Sequence, residues 1–245
     1  MAAESFLRPQ WPAPARVRAA CTTRLGGHSQ GPWASFNLAE RVGDAPAAVA
    51  ANRALLAREL GLPGVPQWLH QVHGTDLVAA EGDGRERRGD ASWTRRPGVV
   101  CAVQSADCLP ILLCDRDGSL VAALHGGWRG LAAGIIPRAL AALALPPGRW
   151  LAWLGPAICG ACYEVGEEVR AAFAGADPWF RPAARPGHWR ADLPGIARAQ
   201  LVAAGVPAGS IHGGDLCTLE DPRRFYSHRR HGVTGRMAAL IWIQP

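Results

Sequence analysis

No lysine occurs among the 245 residues, and all 26 basic positions are arginine. Whole chemistries go with it. A Schiff-base enzyme needs a lysine amine, and a Walker A loop needs its lysine on the β- and γ-phosphates. No GxGxxG fingerprint is present, which argues against a doubly wound dinucleotide fold. No apolar run approaches the roughly 20 residues that span a bilayer. The opening MAAESFLRPQWPAPARVRAA lacks the uninterrupted apolar stretch of a secretory leader. A cytoplasmic protein without a membrane partner is expected.

Seven cysteines form an odd set without regular spacing, in a chain too long to depend on a disulfide framework. A reducing compartment suits them. The net charge of +6 comes from scattered arginines that gather only in pairs such as Arg87-Arg88 and Arg229-Arg230, so no nucleic-acid partner is expected. Phosphate and other small anions fit the guanidinium groups equally well.

About half the chain is hydrophobic (49%), enough for one large core, and residues 1–245 are read as one catalytic unit. A strand is predicted over 17–22 and a helix over 47–60, with Asp44 as its cap and Gly61 at its end. Residues 82–96 read as an exposed loop carrying Asp90. Strand-length apolar runs follow at 99–103, 110–115, 120–125 and 150–155. Helices are predicted over 131–145, 166–173 and 196–204, and two final strands in SIHGGDLCT and RMAALIWIQ. Strands and helices mix without strict alternation, so the fold class is α/β or mixed α+β with a mixed sheet.

Three segments set a metal-capable or nucleophilic side chain beside a turn: QVHGTD with His73, QSADCLP with Cys108 and ALHGGWRG with His125. Two imidazoles and a thiolate make a zinc ligand set that leaves a fourth position open, the hallmark of a catalytic site. Gaps of 35 and 17 residues are too long for a zinc finger, so only the fold can close them. Two other readings stay open on pattern alone: Cys108 as a small buried hydrophobe between ordinary turn histidines, and Cys108 as a nucleophile with His125 as its base. Asp107 would point away from Cys108 on an extended strand, which suits it to orienting a histidine or substrate. Cys159-x-x-Cys162 is half of a zinc or redox motif, weak without a partner pair. His28, His70, His188, His228 and His231 read as exposed or hydrogen-bonded histidines.

In order along the chain, CTTRLGG (21–27), SFNLAERVGD (35–44), NR (52–53), LHQVHG (69–74), QSADCLPILLCD (104–115), ALHGGWRGL (123–131), LGPAICGACYEVG (154–166) and FYSHRRHGVTGRMAALI (225–241) resemble the bacterial laccase-domain family. Its members, once termed polyphenol oxidases, are described as zinc-dependent purine nucleoside phosphorylases. The resemblance implies His73, Cys108 and His125 as zinc ligands. It also implies mixed β-sheets layered between helices, an α/β/β/α arrangement similar to that of certain cysteine hydrolases. The implied activity is phosphorolysis of adenosine, inosine and methylthioadenosine, with adenosine deamination at the same site. Two departures stand out: His228 where tyrosine is commoner, and Gly126 where an alanine is usual, expected only to loosen the backbone.

Without lysine, phosphate must be held by arginine forks and backbone amides. Arg24, Arg129 and Arg229 are the candidates, with Gly126, Gly127 and Gly130 giving the anion access to the main chain and Asn37 as a ribose or base contact. Proton-transfer candidates are Asp90, Asp107 and Glu164. Purine nucleoside and phosphate are thus the expected partners, and a monomer and a homodimer are both compatible with the sequence. Alternatives are a cell-wall muropeptide-editing hydrolase, also suggested by the family, and a partner-regulated protein with a structural zinc. A copper polyphenol oxidase is disfavoured, because multicopper sites need many clustered histidines, although the triad could take up copper adventitiously.

Overall fold

The computed structural model describes residues 5–173, 175 and 177–245. Two sheets pack face to face. The first runs in the order Phe6–Leu7, Val17–Thr22, Met237–Ile243, Val100–Ser105, Pro66–Gln67. The second runs Ile211–Gly213, Trp150–Leu154, Leu109–Asp115, Val121–Gly126, Ala91–Thr94, Leu77–Ala79. Most pairings are antiparallel, but Pro66–Gln67, Ile211–Gly213 and Leu77–Ala79 join in parallel, so both sheets are mixed.

The period of two along each strand sorts the side chains into layers. Cys101, Val103, Ala239 and Ile241 of the first sheet meet Leu112, Cys114, Val121 and Ala123 of the second. Their neighbours in sequence point outward. Val100, Ala102, Leu240 and Trp242 pack under Leu55 and Leu56 of the helix Pro46–Leu60. Ile111, Leu113, Ala122 and Leu124 pack under the helices Ile135–Leu143 and Leu193–Ala203. Each central strand is therefore covered on both faces, which is why Leu109–Asp115 and Met237–Ile243 are buried at every position. The layered α/β/β/α arrangement agrees with expectation. Among the described residues, no helix is long and apolar enough to cross a membrane.

Several local expectations are corrected. The helix expected over 131–145 is broken at Gly134, whose φ of 81° no α-helix accommodates, into Trp128–Ala132 and Ile135–Leu143. Asp44 does not cap the helix core: the chain turns in at Ala45, and the Asp44 carboxylate takes Ser29 Oγ (2.6 Å) and Asn37 Nδ2 (2.8 Å), with Ala45 N on its other oxygen. The stretch 82–96 is not wholly an exposed loop. Strand Ala91–Thr94 pairs with Val121–Gly126 and draws Asp90 to zero exposure, where its carbonyl accepts His125 N at 2.8 Å. Of SIHGGDLCT, only Ile211–Gly213 is strand, while Cys217 bridges singly to Ala157.

Candidate metal centre and cleft

The 17-residue gap between Cys108 and His125 is closed by a β-hairpin. Leu109–Asp115 and Val121–Gly126 pair so that His125 faces Pro110 and Gly126 faces Leu109. One step beyond the strands, Cys108 meets Gly127. His73 arrives from a separate loop, at a φ of 60°. Three amides of that loop, Val72 N, His73 N and Gly74 N, donate to the Asp90 carboxylate at 3.1, 2.9 and 2.7 Å. The same carboxylate accepts His125 Nδ1 at 2.9 Å. One buried aspartate thus sets both histidines.

The donor atoms of His73, Cys108 and His125 all lie within 4.8 Å of one another, with His73 Nε2 3.9 Å from Cys108 Sγ. His125 is buried, Cys108 half-buried and His73 exposed, so the set opens on one side. With Nδ1 committed to Asp90, His125 turns Nε2 toward the thiol, the carboxylate–histidine arrangement that supports a metal ligand. Burial alone would raise the Cys108 thiol, but the charge and hydrogen bonds of His125 and His73 bring it down to about 6. Burial would likewise lower His125, yet the Cys108 thiolate and the Asp90 hydrogen bond lift it to about 9. Burial would lift Asp90, and hydrogen bonds from His125, Gly74 and Val72 hold it at about 2. A sulfur poised as thiolate between two imidazoles is a donor set for a borderline-soft cation.

Steric space agrees with that chemistry. A Cβ on Gly127 would stand 2.9 Å from His73 Cδ2, 3.2 Å from Cys108 Sγ and 3.5 Å from His125 Cε1, so only a glycine leaves the hollow between the donors clear. Gly127→Ala is expected to weaken metal binding by pushing His73 aside, with the fold intact because φ at this position is −69°. Chelator competition beside circular dichroism would show it. Gly126 and Gly130 act otherwise than expected. Their added Cβ atoms would meet Leu109 O at 2.8 Å and Gly74 O at 3.0 Å, so these glycines let segments approach one another rather than admit an anion.

The donors sit in a cleft of about 470 Å³. Arg129 and Arg229 line it; Arg24 and Asn37 do not. The Arg24 fork is spent on Ala34 O (3.0 and 2.8 Å) and Pro222 O (3.2 Å), which corrects its assignment to phosphate. Asn37 is fully buried and bonded to Ala39, Asp44 and Arg236 N, so it braces a loop instead of touching ribose or base. Arg129 lies over the Trp128 ring at 4.3 Å, and no acceptor among the described residues holds its guanidinium. Arg229 lies over Tyr163 and donates to Glu164 O at 2.5 Å.

The carboxylates are likewise committed. Asp107, at a φ of 91° and not on an extended strand, accepts Thr218 Oγ1 (2.6 Å), Ser227 Oγ (3.1 Å) and Arg229 N (2.6 Å). It borders the cleft and positions the segment that carries Arg229. Glu164 faces Arg190 at 3.8 Å, away from the cleft lining. Asp90 is sealed behind His125. Reading the sequence missed Arg53 and Arg236, which also line the cleft. Arg53 is paired with Glu40 at 2.5 Å, whereas Arg236 spends one amino group on Thr234 O and Gly235 O. The NR pair and the GRM run were the available signals.

Layered sheets closing over an open His/Cys/His donor set define a mixed α/β protein with a candidate metal centre. Residues 18–244 match the family described as Multi-copper polyphenol oxidoreductase laccase, and the chain belongs to that family. It is 51% identical over 244 residues to a purine nucleoside phosphorylase of Pseudomonas aeruginosa, covering 98% of this chain and 99% of that one. To the purine nucleoside phosphorylase YfiH of Escherichia coli it is 45% identical, covering 96% and 97%. Among solved structures, a Neisseria meningitidis protein superposes with a TM-score of 0.93 at 45% identity over 98% of this chain and 100% of that one. YlmD of Geobacillus stearothermophilus gives 0.92 at 33% identity over 100% and 98%.

Proposed function

We propose that this chain is a zinc-dependent purine nucleoside phosphorylase whose site is His73, Cys108 and His125, acting on adenosine, inosine and methylthioadenosine and deaminating adenosine in a side reaction. The observation that carries the reading is an open three-donor set in the cleft that also presents the uncommitted Arg129. Relatives of full length named purine nucleoside phosphorylase support it. A cation held by the three donors would supply Lewis acidity at its open position.

In phosphorolysis a phosphate oxygen forms a bond to the anomeric carbon as the bond to the purine nitrogen breaks, and the purine leaves with a proton. Arg129, Arg229 and Arg236 would hold the phosphate in forks, the task lysine cannot perform here. Asp90, Asp107 and Glu164 are poorly placed to move that proton, for the reasons of geometry above. His228 lines the cleft, and its Nδ1 pairs with Gly232 O at 2.6 Å, so Nε2 is left to exchange a proton with the base. Asp107 becomes a positioning residue in this scheme.

The multicopper description in the family name does not suit the donors. Among the described residues, metal-capable side chains gather in two groups holding two histidines between them, too few for a copper cluster.

Adenosine turnover with and without phosphate is the direct test. Phosphate-dependent release of adenine and ribose 1-phosphate is the expected result. Metal-loaded protein that yields no purine product under either condition would overturn the assignment and bring forward the muropeptide hydrolase. Arg129→Met is expected to raise KM for phosphate by about 10- to 100-fold, the worth of a hydrogen bond to a charged group, with KM for the nucleoside little changed.

A further inference from the structure

Cys159-x-x-Cys162 is half a motif in sequence, and the fold brings the other half to it. Ala157 and Cys217 form a parallel bridge, with Ala157 N on Leu216 O (3.1 Å) and Thr218 N on Ala157 O (3.0 Å). The chain then turns tightly through Cys159–Cys162, where Cys162 N and Tyr163 N both donate to Cys159 O. On the other side a turn carries Cys217 to Glu220. The donor atoms of Cys159, Cys162, Cys217 and Glu220 all lie within 4.8 Å of one another, and no disulfide joins the thiols.

We propose that Cys159, Cys162, Cys217 and Glu220 form a second metal site, which binds one Zn²⁺ with four protein ligands and serves structure instead of catalysis. Four thiolate and carboxylate donors close a tetrahedral site, whereas His73, Cys108 and His125 leave one position open. Sulfurs bound tetrahedrally to zinc stand about 3.8 Å apart, from bonds of about 2.3 Å, so the cluster needs only a small contraction. A disulfide would use two sulfurs and leave the third thiol and Glu220 without a purpose.

Two further features favour a cation. Cys159 N points at Cys217 Sγ from 3.4 Å, as backbone amides do toward a metal-bound thiolate. Amides of Glu220 and Leu219 turn toward the same sulfur. Cys162 Sγ already reaches Glu220 Oε1 at 3.5 Å, so the carboxylate is in place as fourth ligand. Each bound thiol would release its proton to solvent on loading.

The consequence for the cleft is mechanical. Ile158 N, next to Cys159, donates to Asp107 O at 3.0 Å, and Thr218, next to Cys217, donates to Asp107 Oδ1 at 2.6 Å. Arg230 Nη2 donates to Leu219 O at 2.7 Å and also to Thr218 O. A metal joining the two loops would therefore brace the backs of Asp107 and the Arg229 segment from outside the cleft.

Metal analysis of the full chain, purified under reducing conditions and saturated with Zn²⁺, should find about two equivalents. Cys108→Ala should keep about one, and its Co²⁺ form should show the intense sulfur-to-cobalt absorption of several thiolates. Cys162→Ser should lose the other equivalent and keep the one at the triad. Where that variant does not fold, alkylation decides instead: in the Cys108→Ala chain Zn²⁺ should protect Cys159, Cys162 and Cys217 from a thiol reagent, and chelator should expose them. A single equivalent that disappears in Cys108→Ala, a disulfide within the cluster, or alkylation at equal rates with and without Zn²⁺ would each overturn the proposal. None of these readouts depends on the purine reaction.

Discussion

Cys108→Ala is expected to abolish tight metal binding at the His/Cys/His site and lower phosphate-dependent adenosine turnover by more than about a hundredfold. Loss of a mere outer-shell partner already costs 10- to 100-fold. The thiol is the only anionic donor of the three. With it removed, two imidazoles must hold the cation unaided, and His73 is exposed and free to turn away. Stability should change little. Cys108 is only half-buried, and its backbone geometry is held by Asp107 and the hairpin rather than by the side chain. Metal analysis, turnover and thermal unfolding on the same preparation check the three parts. Full turnover by a Cys108→Ala protein that no longer holds this metal would remove the triad from the chemistry. A protein that keeps its metal here but loses all turnover would favour the alternative in which Cys108 is a nucleophile.

Most of the layered fold could be read from the chain because its central strands consist mainly of apolar residues. A strand covered on both faces needs no alternation, and 109–115 and 237–243 announce themselves as strands by length and by the turns around them. The helix break at Gly134 was legible only as a glycine, since an isolated glycine is tolerated in many helices. Gathering the triad was a matter of register. The gap of 17 is a hairpin once Leu109–Asp115 and Val121–Gly126 are known to pair, but nothing in the spacing itself says so.

Failures share one cause, which is that burial and hydrogen-bond commitment are not written in residue type. Arg24 and Arg129 both lie within two residues of a glycine, yet one is locked onto carbonyls of Ala34 and Pro222 while the other is uncommitted. Asn37 and Asp90 are polar residues in a polar stretch of sequence, and both are enclosed. Cys217 stands 55 residues from Cys162 and reads as one more isolated cysteine until the Ala157 bridge brings it across.

Asp90→Ala is expected to be the most damaging single change outside the donor set, because it acts on fold and site together. Its carboxylate accepts three backbone amides and one imidazole nitrogen at zero exposure. Each buried donor left without a partner costs about 1–3 kcal/mol, although water entering the half-exposed 71–74 loop would recover part of it. His73 loses the loop that holds it at positive φ, and His125 loses the partner that fixes which nitrogen faces the thiol. Metal affinity should fall by at least the 10- to 100-fold typical of a lost outer-shell carboxylate, and unfolding should shift to lower denaturant. Asp90→Asn separates the two effects. An amide keeps one acceptor oxygen for the loop but sets an NH₂ donor against either a backbone N–H or His125 Nδ1–H, so it should recover stability in part and metal affinity hardly at all. Equal recovery of both by asparagine would mean that Asp90 serves the fold alone, and that the histidines find their own orientation once the loop is closed.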